Sequence, residues 1–220
     1  MAGYIFSLND ARLTALPSGA LWWSHRGILC VSDLHFGKSD RIARRGGALL
    51  PPYETRDTLE RLETDILRNN PQTVICLGDS FDDLAASEEM DADDQLCLTS
   101  LMAGRNWIWI AGNHDPGPIG IGGYHKNEIA VGPLHFRHMA DLANTAEVSG
   151  HFHPKARLSA KGRGMSRPCF LLDNHRLIMP AYGTYTGGLR SDSAALAALM
   201  EQDAVAILTG KTSVAIPMPR

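Results

Sequence analysis

The sequence predicts an α/β fold of four layers, αββα: two mixed β-sheets packed face to face and flanked by helices. Three observations carry this. Apolar runs of four or five residues, bounded by Gly, Pro, Asn and Asp, recur along the whole chain. In the first half these runs alternate with helical patterns, and in the second half they follow one another with few helices between. The 220 residues are 44% hydrophobic and 20% charged, enough to bury a substantial core. No Pro-, Ser- or charge-rich linker and no internal repeat divides them, so one domain over 1–220 is the simplest organisation.

The elements follow in order. Residues 4–8 and 12–16 form a hairpin turned at Asn9-Asp10, and 20–23 and 28–31 form a strand pair across His25-Arg26-Gly27. A short helix with a basic face covers 38–45. Leu59, Leu62 and Ile66 share one face of a helix over 53–68, stopped by Asn69-Asn70-Pro71. A buried strand at 73–77 precedes eight acids between 79 and 94 with no Lys or Arg among them, expected as a solvated loop and helix start. A helix over 93–102 and a strand over 107–110 come next, then a Gly/Pro loop at 116–123. Strands are expected at 128–131, 134–137, 145–149, 169–172 and 177–179, with His175 in a turn. A helix at 193–201 and strands at 204–208 and 212–216 close the chain.

Composition narrows the function. A net charge of −3 does not mark a general nucleic-acid binder, so any such contact must come from a local basic patch. Four cysteines lack CxxC spacing and read as small buried hydrophobes of a reducing compartment. Residues 1–16 carry no signal-peptide pattern and no run is long enough for a membrane span, so a cytoplasmic protein with no membrane partner is expected. Trp22-Trp23 fits either the core or a homo-oligomer interface.

Four motifs carry chemistry: Asp33-Leu34-His35, Gly78-Asp79, Gly112-Asn113-His114-Asp115 and Gly150-His151-Phe152-His153. Each follows an apolar strand, and in open α/β sheets sites gather beyond the carboxyl ends of strands. Period-two alternation at a strand mouth would aim Asp33 and His35 to one side. Oxygen and nitrogen ligands without thiolate suit manganese, iron or zinc, with magnesium behind them. The set is too large for one ion. Two divalent ions about 3.5–4 Å apart, bridged by a carboxylate, would use it and would turn water into hydroxide for attack at phosphorus.

The order DxH … GD … GNHD … H … GHxH resembles the calcineurin-like metallophosphoesterase superfamily. The stretches DLHFGKSDRIARRGGALLPPYET, LGDSFDD, AGNHDPG, FRHM, GHFHPK and YGTYTGGL are similar to the bacterial DNA ligase-associated metallophosphoesterase family. The resemblance implies the metallo-dependent phosphatase fold and two divalent ions, manganese first, with iron or zinc as alternatives. It implies Asp33, His35 and His153 as ligands of one ion, Asp79 as the bridge, and Asn113, His138 and His151 as ligands of the other. His114 matches the catalytic histidine. It also implies a functional link to a DNA ligase and a helicase in DNA repair. Between the last two motifs His125, His135 and His138 compete; His138, at the end of an apolar run and in the Phe-Arg-His match, is preferred. Asp115 either orients His114 or caps a turn. Asp82 and Asp83 either orient a ligand from behind or are surface charge.

Two basic segments flank the motifs, Lys38, Arg41, Arg44 and Arg45 after the first, and Lys155, Arg157, Lys161, Arg163 and Arg167 after the last. Arg41, Arg44 and Arg45 are the preferred substrate-binding residues, against solvated faces as the plain alternative. The loop 182–188 either brings Tyr182 and Tyr185 to a base or closes the sheet. The expected activity is hydrolysis of nucleotide or nucleic-acid phosphodiesters, with small or single-stranded ends favoured over duplex. The alternatives are a phosphomonoesterase and a metal-binding scaffold subunit of a repair assembly.

Overall fold

The protein is described here by a computed structural model over residues 2–47, 50–117, 120–143, 146–160 and 163–220. Thr145, Lys161 and two positions of the 116–123 loop therefore lie outside the described residues.

The first seven strands form one sheet in chain order: β1 (Tyr4–Leu8), β2 (Ala11–Ala15), β3 (Leu21–Trp23), β4 (Ile28–Val31), β5 (Thr73–Cys76), β6 (Asn106–Ile110) and β7 (Tyr124–Lys126). Pairing is antiparallel from β1 to β4 and parallel from β4 to β7. The chain changes sheets at Asn127. The second sheet holds β8 (Glu128–Val131), β9 (Leu134–Arg137), β10 (Glu147–Ser149), β11 (Lys155–Ala160), β12 (Arg163–Leu172), β13 (Arg176–Ile178), β14 (Val205–Leu208) and β15 (Val214–Pro217). Its order is β15-β14-β12-β13-β10-β9-β8, with β11 paired to β12 alone. The helices are α1 (Lys38–Arg44), α2 (Glu54–Asn69), α3 (Leu84–Glu88), α4 (Ala92–Met102) and α5 (Ala194–Leu199).

Strand alternation sorts the core into three slabs. Along β4, Ile28 and Cys30 face the second sheet, where they meet Phe136, Val148, Phe170 and Ile207. Leu29 and Val31 face the other way, toward Leu59, Leu62 and Ile66 of α2 and Leu98 and Leu101 of α4. β12 repeats the pattern: Phe170 points inward, while Cys169 and Leu171 pack with Leu196 of α5 on the far side. This is the αββα sandwich the sequence predicts, and each slab buries side chains whose truncation to Ala costs about 2–5 kcal/mol. Trp23 is buried and Trp22 packs against the α2/α4 slab, so the pair is core.

Three elements were not expected. α3 is nucleated inside the acidic stretch by Asp83, whose carboxylate accepts from Ala86 N–H. β7 is an edge strand without a fully buried residue. The second basic segment, for which the sequence predicts no element, is β11 and the first half of β12, an antiparallel ribbon from Lys155↔Pro168 to Ala160↔Arg163.

Parallel pairing fixes the site. Helical crossovers return β5 and β6 in the direction of β4, so the segments after Val31, Cys76 and Ile110 leave one edge together. β9 and β10 are parallel in the other sheet, and Gly150 N–H donates to the His138 carbonyl. Their outgoing loops reach the same rim.

Candidate metal centre

The Asp33 and Asp79 loops are laced together: Asp33 N–H donates to the Gly78 carbonyl, His35 N–H to Asp79 (2.9 Å) and Phe36 N–H to Ser80 (2.9 Å). Asp33 and His35 do converge, but not by strand alternation. β4 ends at Val31, and both residues sit in the left-handed region, at φ +53° and +49°. Asp79 (+47°), His151 (+68°) and His153 (+47°) do the same. Such backbone is uncommon for residues other than glycine and costs about 1–3 kcal/mol each; it persists where the surroundings hold it, as at functional sites. Glycines let the loops meet: a Cβ on Gly112 would strike the Asp79 backbone and carboxylate, and one on Gly150 the Ser32 hydroxyl and Asp33 carboxylate.

The side chains form two abutting cages. In the first, single ligand atoms of Asp33, His35 and His153 lie within 4.8 Å of one another. His35 Nδ1 lies 2.7 Å from Asp82 Oδ1, so Nδ1–H donates to the carboxylate and the lone pair is left on Nε2. That Nε2, Asp33 Oδ1 and His153 Nε2 are all buried without a hydrogen-bond partner, although His153 Nε2 is only 3.0 Å from Asp33 Oδ1. Buried acceptors facing one another are costly unless a cation lies between them.

In the second cage Asp79, His138 and His151 meet the same distance test. His138 Nδ1 donates to the Leu77 carbonyl at 2.8 Å, again leaving Nε2 to face inward. Around that nitrogen stand Asn113 Oδ1 (3.0 Å), His151 Nδ1 (3.2 Å) and Asp79 Oδ2 (3.4 Å). His138 is thus brought to the site; His135 is exposed on β9 and His125 lies on β7. Burial alone would lower the His138 pKa, but the Asp79 hydrogen bond and the Asp33 and Asp79 charges raise it to about 9. Burial would raise that of Asp79, yet His138 brings it to about 2. The field that draws a proton into this pocket draws a cation equally. Both cages offer only oxygen and nitrogen donors, which fit a borderline or hard divalent ion.

His114 stands beside them. Its Nδ1 donates to the Asp82 carbonyl at 2.8 Å, which turns Nε2 outward, and its ring is 5.2 Å from that of His35. Asp115 takes the capping alternative: it accepts from the N–H groups of Asp79, Ser80, Phe81 and Gly112, pinning the Asp79 loop. Burial pushes its pKa up to about 6 against those hydrogen bonds. Asp82, fully buried, also takes Lys38 Nζ at 3.1 Å and Arg41 Nη1 at 2.6 Å, whereas Asp83 is a helix cap.

The three arginines part company. Arg41 reaches the site, 3.3 Å from His114 Nδ1. Arg44 turns to Asp83 and Glu89, and Arg45 is exposed at the end of α1. Asp82, three residues after Asp79, takes the first of its two readings and orients His35 from behind; the left-handed backbone of Asp33, His35, Asp79, His151 and His153 leaves no mark in residue type.

A four-layer αββα sandwich with two such cages at the strand ends defines a metal-dependent phosphoesterase. The calcineurin-like phosphoesterase family model matches residues 27–176, and the chain belongs to that family, which uses divalent metal ions. The crystal structure of Pseudomonas putida nuclease MPE is similar over 97% of this chain and 100% of its own, at 25% identity and a TM-score of 0.77. A conserved uncharacterized protein from Streptococcus pneumoniae, described as a predicted phosphoesterase, is 12% identical with a TM-score of 0.34, covering 86% of this chain and 95% of its own. No curated protein sequence matches. Among the described residues, no helix is long and apolar enough to cross a membrane.

Proposed function

We propose that the protein is a dinuclear metal-dependent phosphodiesterase that hydrolyses nucleic-acid or nucleotide diesters, in the DNA-repair setting its motifs imply. The observation that carries this reading is the pair of adjoining cages with inward-facing lone pairs. Asp33, His35 and His153 would hold one ion, and Asn113, His138 and His151 the other, with Asp79 available to both. Bound there, two divalent ions supply Lewis-acid charge to a phosphate and lower the pKa of a water. The diester preference draws on the likeness to Pseudomonas putida nuclease MPE, which spans nearly the whole chain.

The remaining residues act on the substrate. His114, its ring fixed through Nδ1 by the Asp82 carbonyl, presents Nε2 to the scissile phosphate and, acting as the imidazolium, gives its Nε2 proton to the leaving oxygen. Arg41, held by Asp82 beside that ring, sets its guanidinium against the phosphate oxygens. With manganese supplied, a chromogenic diester should be turned over faster than the matching monoester. His114→Ala should lower kcat by about 10²–10⁴-fold. A faster monoester reaction would make the enzyme a phosphomonoesterase, and no turnover with any divalent ion would make the protein a scaffold.

A further inference from the structure

Of the two tyrosines in loop 182–188, Tyr182 is buried, donates its hydroxyl to Asp65 Oδ2 at 2.9 Å and carries Arg61 over its ring. It is a packing residue. Tyr185 is not: it is half-buried at φ +63°, a conformation that is an outlier for a bulky side chain. Its ring lies 5.6 Å from that of Tyr53, which is 55% exposed. Tyr53 is thus a largely exposed aromatic ring held in tilted contact with Tyr185.

Both tyrosines are tethered to the Asp33 loop. Next to Tyr53, Glu54 Oε1 accepts from Ser39 N–H and Oγ–H, and Thr55 Oγ1 accepts from Gly37 N–H. Two residues before Tyr185, Gly183 N–H donates to the Asp33 carbonyl at 3.1 Å. Two residues of chain span at most about 7 Å, so Tyr185 stays beside the first cage. Each tyrosine lines a cleft. The one beside Tyr53 (450 Å³) is lined by Asp40, Glu54, Glu89, Asp91 and Asp94 against two arginines, a field that repels phosphate. The one beside Tyr185 (830 Å³) balances Arg61, Arg68 and Lys155 against three acids.

We propose that Tyr53, braced by Tyr185, is a stacking platform for an unpaired base next to the scissile phosphate, with the strand continuing into the cleft of Arg61, Arg68 and Lys155. This rests on the diesterase reading above and makes the substrate single-stranded nucleic acid at this point. Aromatic stacking tolerates any base but requires one, so base dependence is the signature.

The test compares a single-stranded DNA oligonucleotide with its counterpart carrying abasic positions around the cleaved bond, both with manganese. Wild type should show a KM roughly ten-fold higher for the abasic strand. Tyr53→Ala should bring that ratio close to one, and Tyr53→Phe, which keeps the π-face, should retain it. A wild-type ratio near one, or an unchanged ratio in Tyr53→Ala, overturns the platform while leaving the diesterase standing. Failure of wild type to cleave either strand while it turns over a chromogenic diester overturns the platform alone; failure on all three overturns the diesterase reading, and the platform with it.

Discussion

The two cages are built from similar ligands but supported differently. In the first, the inward nitrogen of His35 is set by a buried carboxylate, Asp82; in the second, that of His138 is set by a neutral backbone carbonyl, Leu77. A carboxylate behind a histidine makes it a more basic ligand than a carbonyl does. The first cage should therefore hold its ion more tightly, and stepwise chelation should empty the second one first. The exposures agree: Asp33 and His35 are almost wholly covered, while Asn113 of the second cage is exposed.

The comparison breaks most sharply at Asp82. Asp82→Asn should weaken the tighter of two metal-binding steps by about 10–100-fold in a calorimetric titration and leave the weaker step in place. Equal weakening of both steps would mean that Asp82 serves the whole site through Arg41 and Lys38 instead. Next comes Asp115, which clamps the Asp79 loop of the second cage. Asp115→Ala leaves several buried N–H groups without an acceptor and should lower stability by about 1.5–3 kcal/mol in urea unfolding. The smallest effect belongs to Arg44, itself exposed, whose partners are the half-buried Asp83 and the exposed Glu89. Arg44→Ala should change stability by less than about 1 kcal/mol in the same assay.

The same contrast marks what the sequence could tell. The residues that the two cages bring together were legible as candidates because their chemistry is in their type: Asp, His and Asn after apolar strands. β4 and β5 were legible because residues such as Leu29 and Cys30 are buried on both faces and read as continuous apolar runs. The first half of β12 was not, because it pairs with β11 alone and its described residues, Gly164 to Pro168, are exposed and leave no apolar period to read; among the described residues of β11, only Ala156 and Leu158 alternate toward the α5 slab. Arg41 and Arg44 lie three residues apart on one short helix, yet one meets His114 and the other Glu89. Composition gives both the same charge, and only the placement of α1 against Asp82 separates them. Asp115 had two readings open, and three-dimensional proximity to the Asp79 loop chose between them.

The central claim is that two ions share this rim. Its most direct test is the manganese content per chain after loading and desalting, read by elemental analysis for wild type and for His151→Ala. The account predicts two ions per chain in the first and one in the second. One ion per chain in both would contradict it.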